Sequence, residues 1–189
     1  MTIGLLRFCF GALALTAGSL QIRSIDGAIL RPLEPAGIAN VLFFVATDCP
    51  ISNSYAPEIQ RICGAFASRG VGCQLIYEDP GVTESAVGTH LAEYRYKSMP
   101  AAIDRDGSLA ARVRATITPQ AVVVDRRGEI RYRGRIDNFY AALGRPRQVV
   151  TARDLQDALT ALAGGTPVAH AETDPIGCYI VPSNLRRNP

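Results

Sequence analysis

Two histidines and five cysteines in 189 residues leave little material for a metal centre. Neither His90 nor His170 has a second ligand at metal-binding spacing. There is no Lys/Arg-rich run and no interleaving of aromatic with basic residues, and the formal charge of +3 is diluted over the chain, so a nucleic-acid partner is excluded. Repeats and low-complexity segments are missing as well. The composition, 48% hydrophobic and 20% charged, is that of an ordinary globular protein and excludes disorder, a collagen-like repeat and a coiled coil. The length suggests one domain with a self-sufficient core. Chemistry is left to cysteine, carboxylates and hydroxyls.

The N-terminus stands apart from that domain. Met1 to Arg7 carries one positive charge and no acid, and Phe8 to Ala17 is an apolar run followed by Gly18 and Ser19. This is the pattern of a secretory signal, with cleavage expected after Ala17; at about ten residues the run is short of the ~20 a membrane span needs. Export to a periplasmic or extracellular space is therefore expected, with no stable membrane insertion once the signal is removed. Without Cys9, which lies inside the run, Cys49, Cys63, Cys73 and Cys178 remain, an even number in an oxidising compartment. Three pairings are open to them, and spacing does not choose.

Beyond Ser24, an Asp26-Gly27 turn precedes a short strand. Val41 to Thr47 is a continuous apolar run, as in a strand buried on both faces. Tyr55, Ile59, Ile62 and Phe66 recur at helical spacing in a helix expected from Ile51 to about Ser68. A second buried strand is expected at Val71 to Tyr77, a helix at Val82 to Tyr96, and a short helix from Gly107 to about Ala115. Gln120 to Val124 and Glu129 to Gly134 form a hairpin around Asp125–Gly128, and Thr151 opens a last helix that ends at Gly164-Gly165. The sum is an α/β domain over about 22–165, a mixed sheet with helices on both faces, followed by a Pro-interrupted tail over 166–189.

Cys49 stands at the end of a buried strand, one residue before a proline suited to the first position of a helix. It becomes the helix cap, its sulfur facing the N–H groups of Ile51 and Ser52. A thiolate is stabilised there, so Cys49 is expected to be reachable from outside and moderately easier to ionise than a free thiol.

The strand-Cys-helix arrangement with Ala56-Pro57 in the helix resembles the redox-active turn of the thioredoxin-like superfamily. Thr118-Pro119, before AVVVD, resembles the cis-proline that faces the active cysteine there and docks extended substrates. Together TDCPISNSYAPEI (47–59), TPQAVVVDRRGEIRYRGRIDN (118–138) and GCYI (177–180) are similar to exported bacterial redoxin domains of the alkyl-hydroperoxide-reductase/thiol-specific-antioxidant branch. There are departures. Ser52 holds the place of the second cysteine of a Cys-x-x-Cys pair, so no local dithiol cycle is available. Phe43 replaces the buried acid of thioredoxins, and Ala46 and Leu42 replace residues that activate peroxide in peroxiredoxins.

The resemblance implies a thioredoxin-like fold and a thiol–disulfide oxidoreductase with one active-site cysteine, Cys49, using no cofactor and no metal and meeting a protein or small-molecule thiol or disulfide partner. Pro50, Ser52, Thr118 and a cis Pro119 would line its cleft. Cys178 is the candidate resolving cysteine: the roughly ten residues from Thr166 to Pro175 can span ~30 Å and cross a domain face. Cys63, late in the first helix, and Cys73, early in the next strand, suit a structural disulfide, so the preferred pairing is 63–73 with 49–178; two buried free thiols are the alternative. Arg133 and Arg135 alternate on one strand face, either as a solvated surface or as the cation beside Cys49. Glu58 reads as an exposed charge, and Asp137 and Tyr140 as turn-capping and packing residues. Two other functions compete: a single-cysteine peroxidase with antioxidant activity, and a non-catalytic binding module in which Cys49 is locked to Cys178.

Overall fold

The computed structural model describes residues 20–96 and 98–181. The expected signal segment and the end of the tail lie outside these residues.

Val41 to Val45 belongs to the centre of a five-stranded sheet. In chain order the elements are β1 (Ile22–Arg23), β2 (Ile29–Leu30), β3 (Ala39–Val45), α1 (Pro50–Ser54), α2 (Ala56–Ala67), β4 (Val71–Tyr77), α3 (Glu84–Glu93), β5 (Ala101–Ile103), α4 (Ser108–Val113), β6 (Ile117–Thr118), β7 (Gln120–Asp125), β8 (Ile130–Gly134), β9 (Tyr140–Ala142), β10 (Arg145–Pro146), α5 (Asp154–Ala163) and β11 (Cys178–Tyr179). The main sheet runs β5-β4-β3-β7-β8. β3 is parallel to β4 and antiparallel to β7, which makes the sheet mixed.

All seven residues of β3 are buried, which is why its sequence shows no polar alternation. Val41, Phe43 and Val45 pack with Ile59 and Ile62 of α2, Val87 of α3 and Leu155 and Leu159 of α5. Leu42 and Phe44 face the other way, into Leu109 and Val113 of α4 and Ile180 of the tail. The pleat thus divides one strand between two cores.

Local chemistry moves several element ends from their expected places. β3 stops at Val45, because the Ala46 N–H turns to Ser52 Oγ (3.4 Å) and the Thr47 carbonyl accepts from Asn53 Nδ2 (3.0 Å). The expected helix from Ile51 divides at Tyr55, two residues before Pro57, which has no N–H to continue the ladder. α3 begins after Thr83, whose Oγ1 caps the Ala86 N–H at 3.1 Å. Thr151 is held in the loop by Asn138, which accepts from the N–H groups of Thr151 and Ala152, and α5 starts three residues later. β1, β5, β6, β9, β10 and β11 are additions to the expected elements.

The tail lies along the domain. Arg133 N–H donates to Ala171 O (2.9 Å) and Thr173 N–H to Arg133 O (3.1 Å), so the tail runs beside the outer strand β8. It then adds β11 antiparallel to β6, with Cys178 opposite Thr118 and Tyr179 opposite Ile117.

Candidate functional site

Three segments meet at one sulfur. Cys49 is the N-cap of α1 in extended backbone (φ −90°, ψ 108°), with Pro50 in the first turn. Ser52 N–H points at Cys49 Sγ, at 3.5 Å. The cap forms through the Ser52 N–H, without the second donor expected from Ile51, and on a helix of five residues, so the local donor outweighs any long-helix dipole. The second segment is the loop before β7, where the Thr118–Pro119 bond is cis. Thr118 O lies 3.4 Å from Cys49 Sγ. Only the reduced thiol has a proton to donate to that oxygen.

The third segment is the tail. Cys178 forms a disulfide with Cys49, with Cα atoms 6.2 Å apart. Two residue pairs between β11 and β6 and the Ile180 N–H, donating to Thr116 O at 2.9 Å, seat it there. Gly177 makes the approach: a Cβ at that position would stand 2.0 Å from Thr118 O. No residue larger than glycine fits there without moving the backbone.

This geometry overturns the expectation that the Cys49 sulfur is reachable. Cys49 is 0% exposed. Its partner covers it: half-buried Cys178 borders a cleft of about 230 Å³, with Ala46, Asp48, Glu78 and Tyr179 along its walls. Tyr179 is 84% exposed at the rim. Ser52 is buried, and its hydroxyl braces the end of β3 rather than facing the cleft. Pro119 borders a smaller recess with Tyr55, Asp137, Tyr140 and Ile176.

Arg133 and Arg135, read from the sequence either as a solvated face or as the cation beside Cys49, are engaged in ion pairs away from that sulfur. Arg133 ion-pairs with Glu172 of the tail and donates to Val113 O (3.2 Å), and Arg135 is bidentate on Asp154 of α5 (2.8 and 3.1 Å). Both fasten elements around the sheet. Cys63 and Cys73 form the expected α2–β4 disulfide, with Cα atoms 6.1 Å apart. Asp137 accepts from Tyr55 Oη (2.7 Å) and the Phe139 N–H (2.8 Å), and burial with the Asp137 carboxylate raises the Tyr55 phenol far above its ordinary range. Glu58 is less free than expected, held by Arg61 and Arg153. Among the described residues, no group of three or more His, Cys, Asp or Glu is placed to hold a metal.

His90 is the site-linked residue that sequence reasoning missed. It is buried, with Nδ1 2.9 Å from Tyr77 Oη and Nε2 2.9 Å from Asn53 Oδ1, in the helix that follows Cys49. A lone histidine in an amphipathic helix carries no pattern that announces this.

No protein-family model matches the sequence, and no match is found among curated proteins. Solved structures do match. An uncharacterised conserved protein from Geobacillus kaustophilus is 24% identical, with a TM-score of 0.74 over 86% of this chain and 88% of its own. A hypothetical protein from Sinorhizobium meliloti 1021 is also 24% identical, with a TM-score of 0.72 over 85% and 89%. A secreted Mycobacterium tuberculosis disulfide oxidoreductase homologous to Escherichia coli DsbE is 20% identical, with a TM-score of 0.54 over 78% and 96%. The chain has a thioredoxin-like fold. The likeness shows the fold and does not select the alkyl-hydroperoxide-reductase branch.

Proposed function

We propose that the protein is an exported thiol–disulfide oxidoreductase whose redox pair is Cys49 and Cys178, with a Cys-Pro-Ile-Ser turn in place of Cys-x-x-Cys. One observation carries this: the cap cysteine of α1 is joined to a tail cysteine beside cis Pro119, across 129 residues of sequence. Solved neighbours described as a secreted disulfide oxidoreductase and as a putative thiol:disulfide interchange protein support the chemistry, and the first of them the compartment. No helix among the described residues is long and apolar enough to cross a membrane.

From the disulfide state, the first contact falls on Cys178, because Cys49 is buried beneath it. A partner thiolate attacks Cys178 Sγ, the Cys49–Cys178 bond breaks, and its electron pair goes to Cys49 Sγ, facing the Ser52 N–H. The partner's second thiol, once deprotonated, attacks the partner sulfur of the mixed disulfide and expels the Cys178 thiolate. The partner leaves as a disulfide, and this chain holds both electrons as a dithiol after taking up two protons. With a partner disulfide the same steps run in reverse.

The complete burial of Cys49 also favours a second reading, a non-catalytic module in which the bond only fastens the tail. A dithiol-dependent disulfide-reductase assay separates the two. The redox reading predicts turnover in the wild type and its loss in both Cys49→Ser and Cys178→Ser. The module reading predicts no turnover in any of the three, and similar losses of thermal stability in the two variants.

A further inference from the structure

Beside the sulfur lies a chain of polar side chains that the exchange reaction does not itself use. Asn53 Nδ2 donates to Thr47 O (3.0 Å), which leaves Asn53 Oδ1 as the acceptor facing His90. His90 Nε2 therefore carries the proton, and Nδ1 accepts from the Tyr77 hydroxyl. The relay runs Tyr77 O–H to His90, His90 N–H to Asn53, and Asn53 N–H to the Thr47 carbonyl, every link 2.9–3.0 Å. It crosses from β4 through α3 to α1 and ends two residues before Cys49. The Asn53 backbone N–H also donates to Cys49 O (2.9 Å), so one residue clasps the Cys49 turn at both ends.

The ring is packed as tightly as it is bonded. Tyr94 lies 4.6 Å from it between centroids, Tyr96 at 6.0 Å, and Tyr77 meets it edge-on at 5.6 Å. His90 is 4% exposed. Its titratable surroundings are Tyr77 of β4, Tyr94 and Tyr96 after α3, and the Glu93 carboxylate.

We infer that His90 is a positioning residue for the redox pair: through Asn53 it fixes the Thr47–Asn53 turn, and with it the Ser52 N–H that faces the Cys49 sulfur. This rests on the thiol–disulfide reading above. Loosening the clasp weakens a donor that a thiolate needs more than a disulfide sulfur does, because hydrogen bonds to charged groups are the stronger ones. The reduced form therefore loses stability relative to the disulfide.

The test is an equilibrium titration of the Cys49–Cys178 couple against glutathione, with a thiolate-absorbance pH titration of reduced Cys49. Wild type is compared with His90→Phe, which keeps a ring and removes both hydrogen bonds, and with His90→Gln, whose amide can accept at one end and donate at the other. Half-buried Asn53→Ala breaks the same relay outside the core, should His90→Phe fail to fold. His90→Phe and Asn53→Ala are expected to move the equilibrium roughly three- to tenfold toward the disulfide and to raise the thiol pKa, whereas His90→Gln stays within threefold of wild type. The inference is overturned if the folded relay-breaking variants stay within threefold of wild type or move toward the dithiol, or if His90→Gln shifts as far as His90→Phe. A wild-type couple that glutathione never reduces overturns instead the thiol–disulfide reading on which the inference rests.

Discussion

At the scale of the residue, burial decides how His90 titrates. Desolvation lowers its pKa from the ordinary value near 6.5, against a smaller opposing pull from Glu93. The unfolded chain then binds the imidazole proton more readily than the folded one. Stability from this group is complete above about pH 6.5 and is lost as the pH falls toward the lower folded value. Wild type should therefore lose more denaturation free energy than His90→Gln between about pH 7 and about pH 5, measured by urea unfolding at each pH. Parallel pH profiles for the two would contradict the account of a neutral, buried His90.

At the scale of the element, the pairing of β11 with β6 rests on a backbone approach that one glycine permits. Gly177→Ala places a Cβ against Thr118 O, with no side-chain end to give way. It should push the tail off Thr118 and cost the disulfide roughly 1–3 kcal/mol, so that the Cys49–Cys178 bond is reduced at a dithiol-to-disulfide ratio about five- to 150-fold lower. Alkylation and mass analysis across a reductant series reads this out, and an unchanged midpoint would refute it.

The same elements show what a sequence can and cannot disclose. β3 is legible because both its faces are buried, which writes an unbroken apolar run from Val41 to Val45 into the chain, and β4 is legible mainly through its buried end at Leu75, Ile76 and Tyr77. Cys49 as a cap is legible because Pro50 follows it, and the cis bond before Pro119 because the surrounding motif carries it. β6 and β11 have two residues each and lie 60 positions apart at Thr118 and Cys178. Pairs so short have no periodicity to read. The arginines of β8 follow the strand alternation, yet their destinations, Glu172 and Asp154, depend on the paths of the tail and of α5. The burial of Cys49 has the same origin: its cover comes from the other end of the chain.

At the scale of the whole molecule, two disulfides do different work. Cys63–Cys73 spans 10 positions and braces α2 on β4. Cys49–Cys178 spans 129 positions and ties the tail to the turn at the start of α1. Chain entropy alone favours the longer link, by about 5 kcal/mol against about 3. Reactivity is set instead by access and by the leaving thiolate. Cys178 borders an open cleft, and the sulfur expelled from it faces the Ser52 N–H.

The most direct test is peptide mass analysis under non-reducing conditions, after equilibrating the native protein over a range of glutathione ratios. A reversible Cys49–Cys178 pair predicts that the peptides carrying residues 49 and 178 are joined under oxidising ratios and part at intermediate ones. They should rejoin when the ratio is restored, while 63 and 73 stay joined throughout. Peptides 49 and 178 that are never joined, or that part only when the protein unfolds, would contradict it.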